Sequence, residues 1–333
     1  MGDPSGIGPA ILVKAMKRLG GKAEFVVIGD AWVLGKVEKS FGVKGSPARL
    51  FHNGRDPAIH GYGGREKCQG VKVIDLKNVS GKNFAFGKIR AEYGRASIDY
   101  LDKAMDLIIA KEIDCLVTCP ISKQAVRLAG FRFPGHTEYL AQCTATRDFV
   151  MMLLNRHLKF SLLTTHIPLK DVSSKINKGI LRKNIILTLS SLKKLFAIKK
   201  PRIVVCGLNP HASDEGIIGK EEIAIFKPAL RCIRRSLRAV IDGPISADVA
   251  VLKSSRGEYD ACIAAYHDQA LIALKLTGFD TGVNLTLGLP FVRTSPLHGT
   301  AFDIAANPSL ANPSSLIEAI KTAIRCTSNL KKA

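Results

Sequence analysis

The stretch of sequence that decides the fold is Tyr259–Ala305, YDACIAAYHDQALIALKLTGFDTGVNLTLGLPFVRTSPLHGTAFDIA. It opens with an apolar segment, Ala261–Tyr266, that has the composition of a buried strand and stops at His267-Asp268. A helix-like stretch follows, and then a second strand-like run from Gly282 to Leu289. A strand that ends in polar residues and leads into a helix is typical of the carboxyl edge of an open α/β sheet, where such folds place their chemistry.

The same form recurs along the chain. Apolar, strand-like runs occupy Glu24–Asp30, Asp114–Lys123, Lys159–His166 and Arg202–His211. Between the first two runs, apolar residues at helical spacing predict a helix from Ala91 to about residue 111. Alternation of strands and helices predicts an α/β fold with a mostly parallel sheet. Residues 42–90 are predicted to be rich in loops, with His52 and His60 on loops or at the surface.

The composition excludes several classes of protein. With 333 residues, 46 % apolar and 23 % charged, the chain has the balance of a globular protein. It contains no apolar stretch long enough to span a bilayer and no basic-then-apolar signal segment at its start. Its eight cysteines are scattered without a C-x-x-C pair, which favours free thiols over disulfides or a zinc ribbon. We therefore expect a cytoplasmic protein.

The formal charge of +21 is large and comes from runs such as Leu192–Arg202 and Arg231–Arg238. Such runs suit a nucleic acid or an acidic membrane, and equally a solvated helix face. No RNA-binding signature or interleaved aromatic residues accompany them, so a nucleic-acid partner is disfavoured.

The first residues, MGDPSGIGPAILVKAM, predict a glycine-rich turn that enters a helix. Exposed backbone N–H groups in such a turn would suit an anion or a polar ligand. The pattern is neither a Walker A loop nor a complete G-x-G-x-x-G fingerprint, so a plain helix-entry turn is the favoured interpretation.

Three histidines, His166, His211 and His267, each follow a strand-like apolar run. Because the ends of parallel strands lie at one edge of a sheet, these side chains are predicted to converge. Three imidazoles with an open position are the ligands of a catalytic divalent metal, most naturally zinc, with nickel or cobalt as competent stand-ins. Asp268 is a candidate to orient His267.

Other residues are candidates for binding an anionic substrate, since arginine forks a phosphate or carboxylate and lysine offers a point charge. They are His136, Thr137, Lys275, Asn284 and Arg293.

Together these motifs resemble those of the 4-hydroxythreonine-4-phosphate dehydrogenase family. The matching stretches are GDPSGIGP, CPISK, FPGHTEYLA, GLNPHA with GKEE, GP-x-x-AD, YDACIAAYHDQ, GVNLTLGLPFVRTS and HGTAFDIA, in the family's order over nearly the whole chain. HGTAFDIA also resembles the nucleotide-binding loop of the isocitrate/isopropylmalate dehydrogenases, whose fold that family shares.

The resemblance implies a homodimer of two-domain α/β/α subunits with active sites that use residues of both chains. It implies domain one at residues 1–130 plus about 275–333, on the nucleotide side, and domain two at about 131–274, on the metal and dimer side. It assigns a divalent metal (Zn, or Mg or Co) to His166, His211 and His267, and the phosphorylated substrate to the five anion-binding candidates above. The nucleotide-binding loop corresponds to His298, Gly299, Thr300 and Asp303.

The implied reaction oxidises 4-phosphooxy-L-threonine at C3 with NAD or NADP. The resulting 3-oxo acid then loses carbon dioxide to give 3-amino-2-oxopropyl phosphate, a precursor in vitamin B6 (pyridoxal 5′-phosphate) biosynthesis. Asp248 and Asp268 are the candidate bases, with direct release of the proton to water as the alternative.

The chain departs from the family pattern in four places. Members usually carry a strand before the GDP turn, which Met1 directly precedes here, so we expect either a start further upstream or a less stable product. Ala10 replaces a common acidic residue, Ser213-Asp214-Glu215 replaces a glycine-rich loop, and Cys119 replaces a small alanine. No proposed ligand is lost, so we expect activity to be retained.

Three alternatives stay open at this point. The first is the same chemistry on another four-carbon phosphate, such as a threonate or erythronate 4-phosphate. The second is a basic RNA-binding protein, which would show salt-dependent RNA affinity and no need for metal. The third is a truncated, catalytically silent product.

Overall fold

The computed structural model describes residues 1–19, 21, 23–41, 51–53, 71–133, 135–237 and 239–332. They form two compact units, Met1–Tyr139 with Ser295–Ile324 and Leu140–Thr294 with Arg325–Ala333. The domain boundaries implied by the resemblance, near residues 130 and 275, stay a prediction. Most of the predicted loop-rich region, including His60 and the side chain of His52, lies outside the described residues.

The regular elements of the described residues alternate as the sequence pattern predicts. The strands are β1 (Val26–Gly29), β2 (Phe51–Asn53), β3 (Val71–Asp75), β4 (Cys115–Val117), β5 (Val150–Leu154), β6 (Lys159–Leu162), β7 (Arg202–Cys206), β8 (Val240–Ile245), β9 (Ala261–Ala264), β10 (Val283–Leu287) and β11 (Val292–Pro296). The α-helices are α1 (Gly8–Leu19), α2 (Ala31–Ser40), α3 (Ala91–Ile109), α4 (Lys123–Leu128), α5 (His136–Cys143), α6 (Val172–Lys175), α7 (Lys178–Lys194), α8 (Lys227–Leu237), α9 (Ala247–Ser255), α10 (His267–Gly278) and α11 (Ser314–Lys332).

The first unit contains a small parallel sheet in the order β1-β3-β2, with Val27 opposite Val73. Helix α3 packs against this sheet through residues that recur every three or four positions, among them Tyr93, Ala96 and Tyr100, all nearly inaccessible to solvent. This spacing puts the apolar side chains on one face of the helix, which explains why the sequence predicted α3 so closely.

The second unit is built on a larger sheet, in which strands follow one another in the order β11-β10-β5-β6-β9-β7-β8. Strands β6, β9, β7 and β8 run parallel, whereas β5 pairs antiparallel with both β6 and β10. Helices α7 and α9 pack against this sheet, and β9, which has a strand on each side, is apolar and buried along its whole length. The predicted α/β class with a mostly parallel sheet is confirmed.

The three histidine-bearing runs form strands as predicted, but each strand is shorter than its apolar run. Strand β6 ends at Leu162, β7 at Cys206 and β9 at Ala264. The chain leaves the sheet before each histidine, so the histidines lie on the connections that follow the strands.

No helix among the described residues is both long enough and apolar enough to cross a membrane.

Candidate functional site

The second unit brings two of the three predicted histidines together. The imidazole rings of His166 and His267 have their centres 5.4 Å apart and are inclined at 44°. His267 is the first residue of α10, and His166 lies in the connection after β6. Because β6 and β9 are parallel neighbours, with Leu162 opposite Ala264, the residues beyond their ends stay adjacent.

His267 has the partner that the sequence predicted for it. Its Nδ1 lies 2.8 Å from Oδ1 of Asp268. A proton on Nδ1 that is donated to this carboxylate leaves the Nε2 lone pair available to a metal, the usual arrangement for a metal-binding histidine.

The spacing of the two rings fits a shared metal ion. A zinc ion bound in tetrahedral geometry to one nitrogen of each ring, at about 2.0–2.1 Å, holds the ring centres roughly 5 Å apart. The observed 5.4 Å is close to this value. His166 and His267 can therefore supply two ligands of a divalent cation without rearranging the backbone of the sheet.

The third predicted ligand, His211, is not grouped with His166 and His267. It lies in the 3₁₀ segment Pro210–Gly216, where five consecutive residues from His211 to Glu215 have positive φ values between 44° and 73°. Non-glycine residues rarely adopt this left-handed conformation, which costs roughly 1–2 kcal/mol for each of them. Among the described residues, no three His, Cys, Asp or Glu side chains are grouped so that they could hold one ion.

Glu221 and Glu222 of the GKEE motif hold the residue that precedes this segment, Asn209. The sequence pattern predicted no role for either glutamate. Glu222, which is inaccessible to solvent, accepts from the backbone N–H of Asn209 at 2.8 Å and from its Nδ2 at 2.8 Å. Glu221 accepts from the same Nδ2 at 2.9 Å and from Ser173 Oγ at 2.5 Å. Hydrogen bonds from Ser173 and then Asn209 hold the pKa of the Glu221 carboxyl below its usual range. The GKEE motif therefore fixes the residue two positions before His211.

The candidate anion binders of the second unit lie on three different elements. Arg293 lies in β11, is only 2 % exposed, and donates from Nη1 to Thr286 Oγ1 at 3.2 Å. Asn284 lies two residues before Thr286 on β10, and its buried Oδ1 accepts no hydrogen bond. Lys275 is exposed near the end of α10, with its ammonium 5.8 Å from the centre of the Phe279 ring.

The remaining candidate site residues lie at the starts of helices or in a loop. His136 and Thr137 begin α5, with Thr137 buried. Asp248 is exposed in the first turn of α9. In the predicted nucleotide loop, His298, Gly299 and Asp303 are exposed, and the carbonyl of Thr300 accepts from Ile7 N at 2.7 Å.

The glycine-rich turn at the start of the chain is a buried helix-entry turn, the interpretation that the sequence favours, rather than an exposed anion-binding loop. Residues 2–13 are buried, and the N–H groups of Asp3, Gly6 and Ile7 donate to the carbonyls of Pro120, Asp3 and Thr300. These N–H groups are already used within the first unit, where the turn supports the loop at Thr300.

The turn contains a buried acid, Asp3, whose Oδ1 accepts from Ser5 N at 2.9 Å and whose buried Oδ2 accepts no hydrogen bond. Removal from water raises the pKa of this carboxyl to about 6, against hydrogen bonds from Ser5, Gly6 and Ser122 that lower it. The folded protein thus binds this proton more tightly than the unfolded chain does.

Between about pH 4 and pH 6 the folded state holds more protons than the unfolded state, so Asp3 makes the free energy of unfolding fall as the pH rises through this window. Relative to Asp3→Asn, the wild type should lose roughly 1–3 kcal/mol between pH 4 and pH 7. Urea unfolding across this range, with Asp106→Asn as an exposed control, measures the difference. Curves that stay parallel for wild type and Asp3→Asn would contradict the raised pKa.

The family model described as "Pyridoxal phosphate biosynthetic protein PdxA" matches residues 21–323 of the chain. A 4-hydroxythreonine-4-phosphate dehydrogenase of Sulfurihydrogenibium sp. is 41 % identical over 325 residues, which cover 97 % of this chain and 96 % of the relative. A D-threonate 4-phosphate dehydrogenase of Cupriavidus necator is 38 % identical over 324 residues, with 96 % of this chain and 94 % of the relative covered.

Among solved structures, 4-hydroxythreonine-4-phosphate dehydrogenase from Klebsiella pneumoniae matches with a TM-score of 0.84 and 34 % identity, covering 98 % of this chain and 96 % of that one. A likeness of this extent in both sequence and fold agrees with the order of motifs along the chain. The chain belongs to the PdxA family of pyridoxal phosphate biosynthetic proteins.

Proposed function

We propose that the protein is a metal-dependent 4-hydroxythreonine-4-phosphate dehydrogenase of vitamin B6 biosynthesis. It oxidises 4-phosphooxy-L-threonine at C3 with NAD or NADP, and the 3-oxo acid then loses its carboxylate as carbon dioxide to give 3-amino-2-oxopropyl phosphate. Membership of the PdxA family supports the reaction. The observation that carries the proposal in this chain is the His166–His267 pair, with Asp268 behind it.

The redox chemistry needs two groups that the protein would bind. A bound nicotinamide would supply the acceptor for the hydride that leaves C3, and we assign its binding to the loop containing His298, Gly299, Thr300 and Asp303. A divalent cation, zinc or alternatively magnesium or cobalt, supplies positive charge that favours an oxyanion in both the oxidation and the decarboxylation. We assign it to His166, His211 and His267.

Other side chains would grip the anionic substrate. Arg293, buried and oriented by Thr286, presents a planar fork to a phosphate or carboxylate. Asn284, with a buried amide oxygen that accepts no hydrogen bond, can accept one from a substrate hydroxyl or amine. Lys275, His136 and Thr137 complete the proposed substrate-binding set.

The two candidate bases differ in what surrounds them. Oδ1 of Asp268 is within hydrogen-bonding distance, 2.8 Å, of Nδ1 of His267. This contact is typical of a carboxylate that orients a metal-binding histidine. Asp248 is exposed in the first turn of α9. We therefore assign Asp268 to positioning and keep Asp248 as the candidate base that takes the C3 hydroxyl proton.

We further propose that the enzyme is a homodimer whose active sites use residues of both chains. No three potential ligands are grouped among the described residues, so we propose that His211 of a second copy completes the site of His166 and His267. Co-expressed His211→Ala and His267→Ala chains then form mixed dimers with one intact site each, and activity reappears although each variant alone is inactive. An inactive mixture of folded mixed dimers would place all three ligands in one chain.

The cysteines agree with a cytoplasmic location, which we also propose. All seven cysteines among the described residues are free thiols, as is usual in a reducing compartment.

A D-threonate 4-phosphate dehydrogenase activity is the second candidate, because relatives with that name cover the chain at 37–38 % identity. The two substrates differ at C2, which carries an amine in one and a hydroxyl in the other. Initial rates of NAD and NADP reduction with 4-phosphooxy-L-threonine, threonate 4-phosphate and erythronate 4-phosphate distinguish the candidates. We expect the highest kcat/KM with 4-phosphooxy-L-threonine, and a higher value with either sugar acid would overturn that choice.

A further inference from the structure

The residues just beyond the ends of β6 and β9 are tied together by a buried hydroxyl. Thr164, which is 6 % exposed, donates from Oγ1 to the carbonyl of Ala265 at 2.8 Å. One residue earlier, Leu163 N donates to the carbonyl of Ala264 at 2.9 Å, continuing the ladder of the two strands. The threonine therefore extends the pairing of the two chains past the point where backbone hydrogen bonding stops.

The two residues joined by the threonine hydrogen bond lie equally far along the chain from the two histidines. Thr164 lies two residues before His166, and Ala265 lies two residues before His267. A shift of either connection would change the separation of the two imidazole rings, which is now 5.4 Å.

The side chain of Gln269 also holds Ala265, through its backbone N–H rather than its carbonyl. Gln269, in the first turn of α10, accepts from Ala265 N at 2.6 Å through Oε1 and donates from Nε2 to the carbonyl of Gly207 at 2.9 Å. Gly207 directly follows β7, so Gln269 joins the end of β9 to the end of the neighbouring strand. Ala265 is thus held through both its N–H and its carbonyl, by two side chains from different elements.

We propose that Thr164 and Gln269 form a strand-end clamp that positions His166 and His267 for a shared metal ion. The inference rests on the proposed function, in which the two histidines bind that ion. Thr164 and Gln269 are positioning residues, since they contact the backbone that carries the ligands. Replacing a group that hydrogen-bonds a metal ligand directly commonly changes metal affinity roughly 10- to 100-fold, and we expect a loss toward the lower end of this range here.

The test measures zinc affinity on metal-free full-length protein by competition with a chromophoric chelator, together with the visible absorption of bound Co²⁺, which reports coordination geometry. Thr164→Val should weaken zinc binding about tenfold or more and alter the Co²⁺ spectrum, whereas Thr164→Ser should retain both. Gln269→Met should weaken binding in the same direction, which keeps the test decisive if Thr164→Val fails to fold.

Thr188→Val is the matched control. Thr188 is also a buried threonine of the second unit, and its hydroxyl donates to Ser161 Oγ at 2.8 Å, within β6 rather than beyond its end. Both valine variants should lower the unfolding temperature, but zinc affinity should change less than about twofold in Thr188→Val.

Zinc binding by Thr164→Val and Gln269→Met as tight as that of the wild type would overturn the clamp while leaving the proposed function intact. Equal weakening in Thr188→Val would also overturn it, because the effect would then follow stability alone. A wild-type protein that binds no zinc would instead refute the proposed metal site, and the clamp with it.

Discussion

Replacing His267 with alanine should lower kcat/KM for 4-phosphooxy-L-threonine on the order of a thousandfold and remove stoichiometric zinc binding. The variant loses one of the two grouped imidazoles, and the remaining ring of His166 cannot hold a divalent ion with comparable affinity. Zinc content after dialysis and steady-state rates at 340 nm measure the two effects together.

Two companion variants make this result specific. Asp268→Asn keeps the ligand but weakens the hydrogen bond to Nδ1, so its loss should be smaller, about 10- to 100-fold. His157→Ala removes an exposed histidine elsewhere in the second unit and should leave both zinc content and rate unchanged. A His267→Ala protein that retains wild-type zinc affinity would contradict the assignment of this residue as a ligand.

Replacing Arg293 with lysine should raise KM for the phosphorylated substrate about 10- to 100-fold. Lysine keeps the positive charge but loses the planar fork, and a hydrogen bond to a charged group contributes roughly 1.5–3 kcal/mol. The site is buried and shaped by Thr286 Oγ1, so a shorter ammonium side chain cannot take up the same geometry.

The control for Arg293→Lys is Arg202→Lys, an exposed arginine of β7 that hydrogen-bonds the carbonyl of Gly257 at 2.8 Å. It should leave KM unchanged. Substrate titrations at saturating NAD give KM and kcat separately for both variants. An unchanged KM in Arg293→Lys, in a protein that unfolds at the wild-type temperature, would rule out bidentate binding by this residue.

The parts of the fold that sequence predicts well are those controlled by continuous burial. The strand in Ala261–Tyr266 and the helix from Ala91 have apolar patterns with no competing period, and both form where expected. The proximity of His166 and His267 also follows from sequence, because parallel neighbouring strands must end side by side. Neither result requires knowledge of an individual contact.

What sequence could not predict depends on single backbone conformations and on long-range hydrogen bonds. The left-handed run at His211 contains no glycine and includes Ala212, Ser213 and Glu215, which rarely adopt positive φ, so no local signal marks a run of five such residues. The burial of the turn at Asp3 depends on carbonyls of Pro120 and Thr300, far away along the chain. Thr164 and Gln269 carry no motif of their own, and their roles emerge only when three strand ends are seen together.

Oxidative decarboxylation of the four-carbon phosphate should require a divalent metal held by the histidines. The most direct test follows NAD reduction at 340 nm with 4-phosphooxy-L-threonine, using the protein as purified, after removal of metal by a chelator, and after restoration of zinc. We expect activity to disappear with the metal, to return with about one zinc per site, and to release one carbon dioxide for each NADH formed. Full turnover by protein verified to be metal-free would contradict the claim.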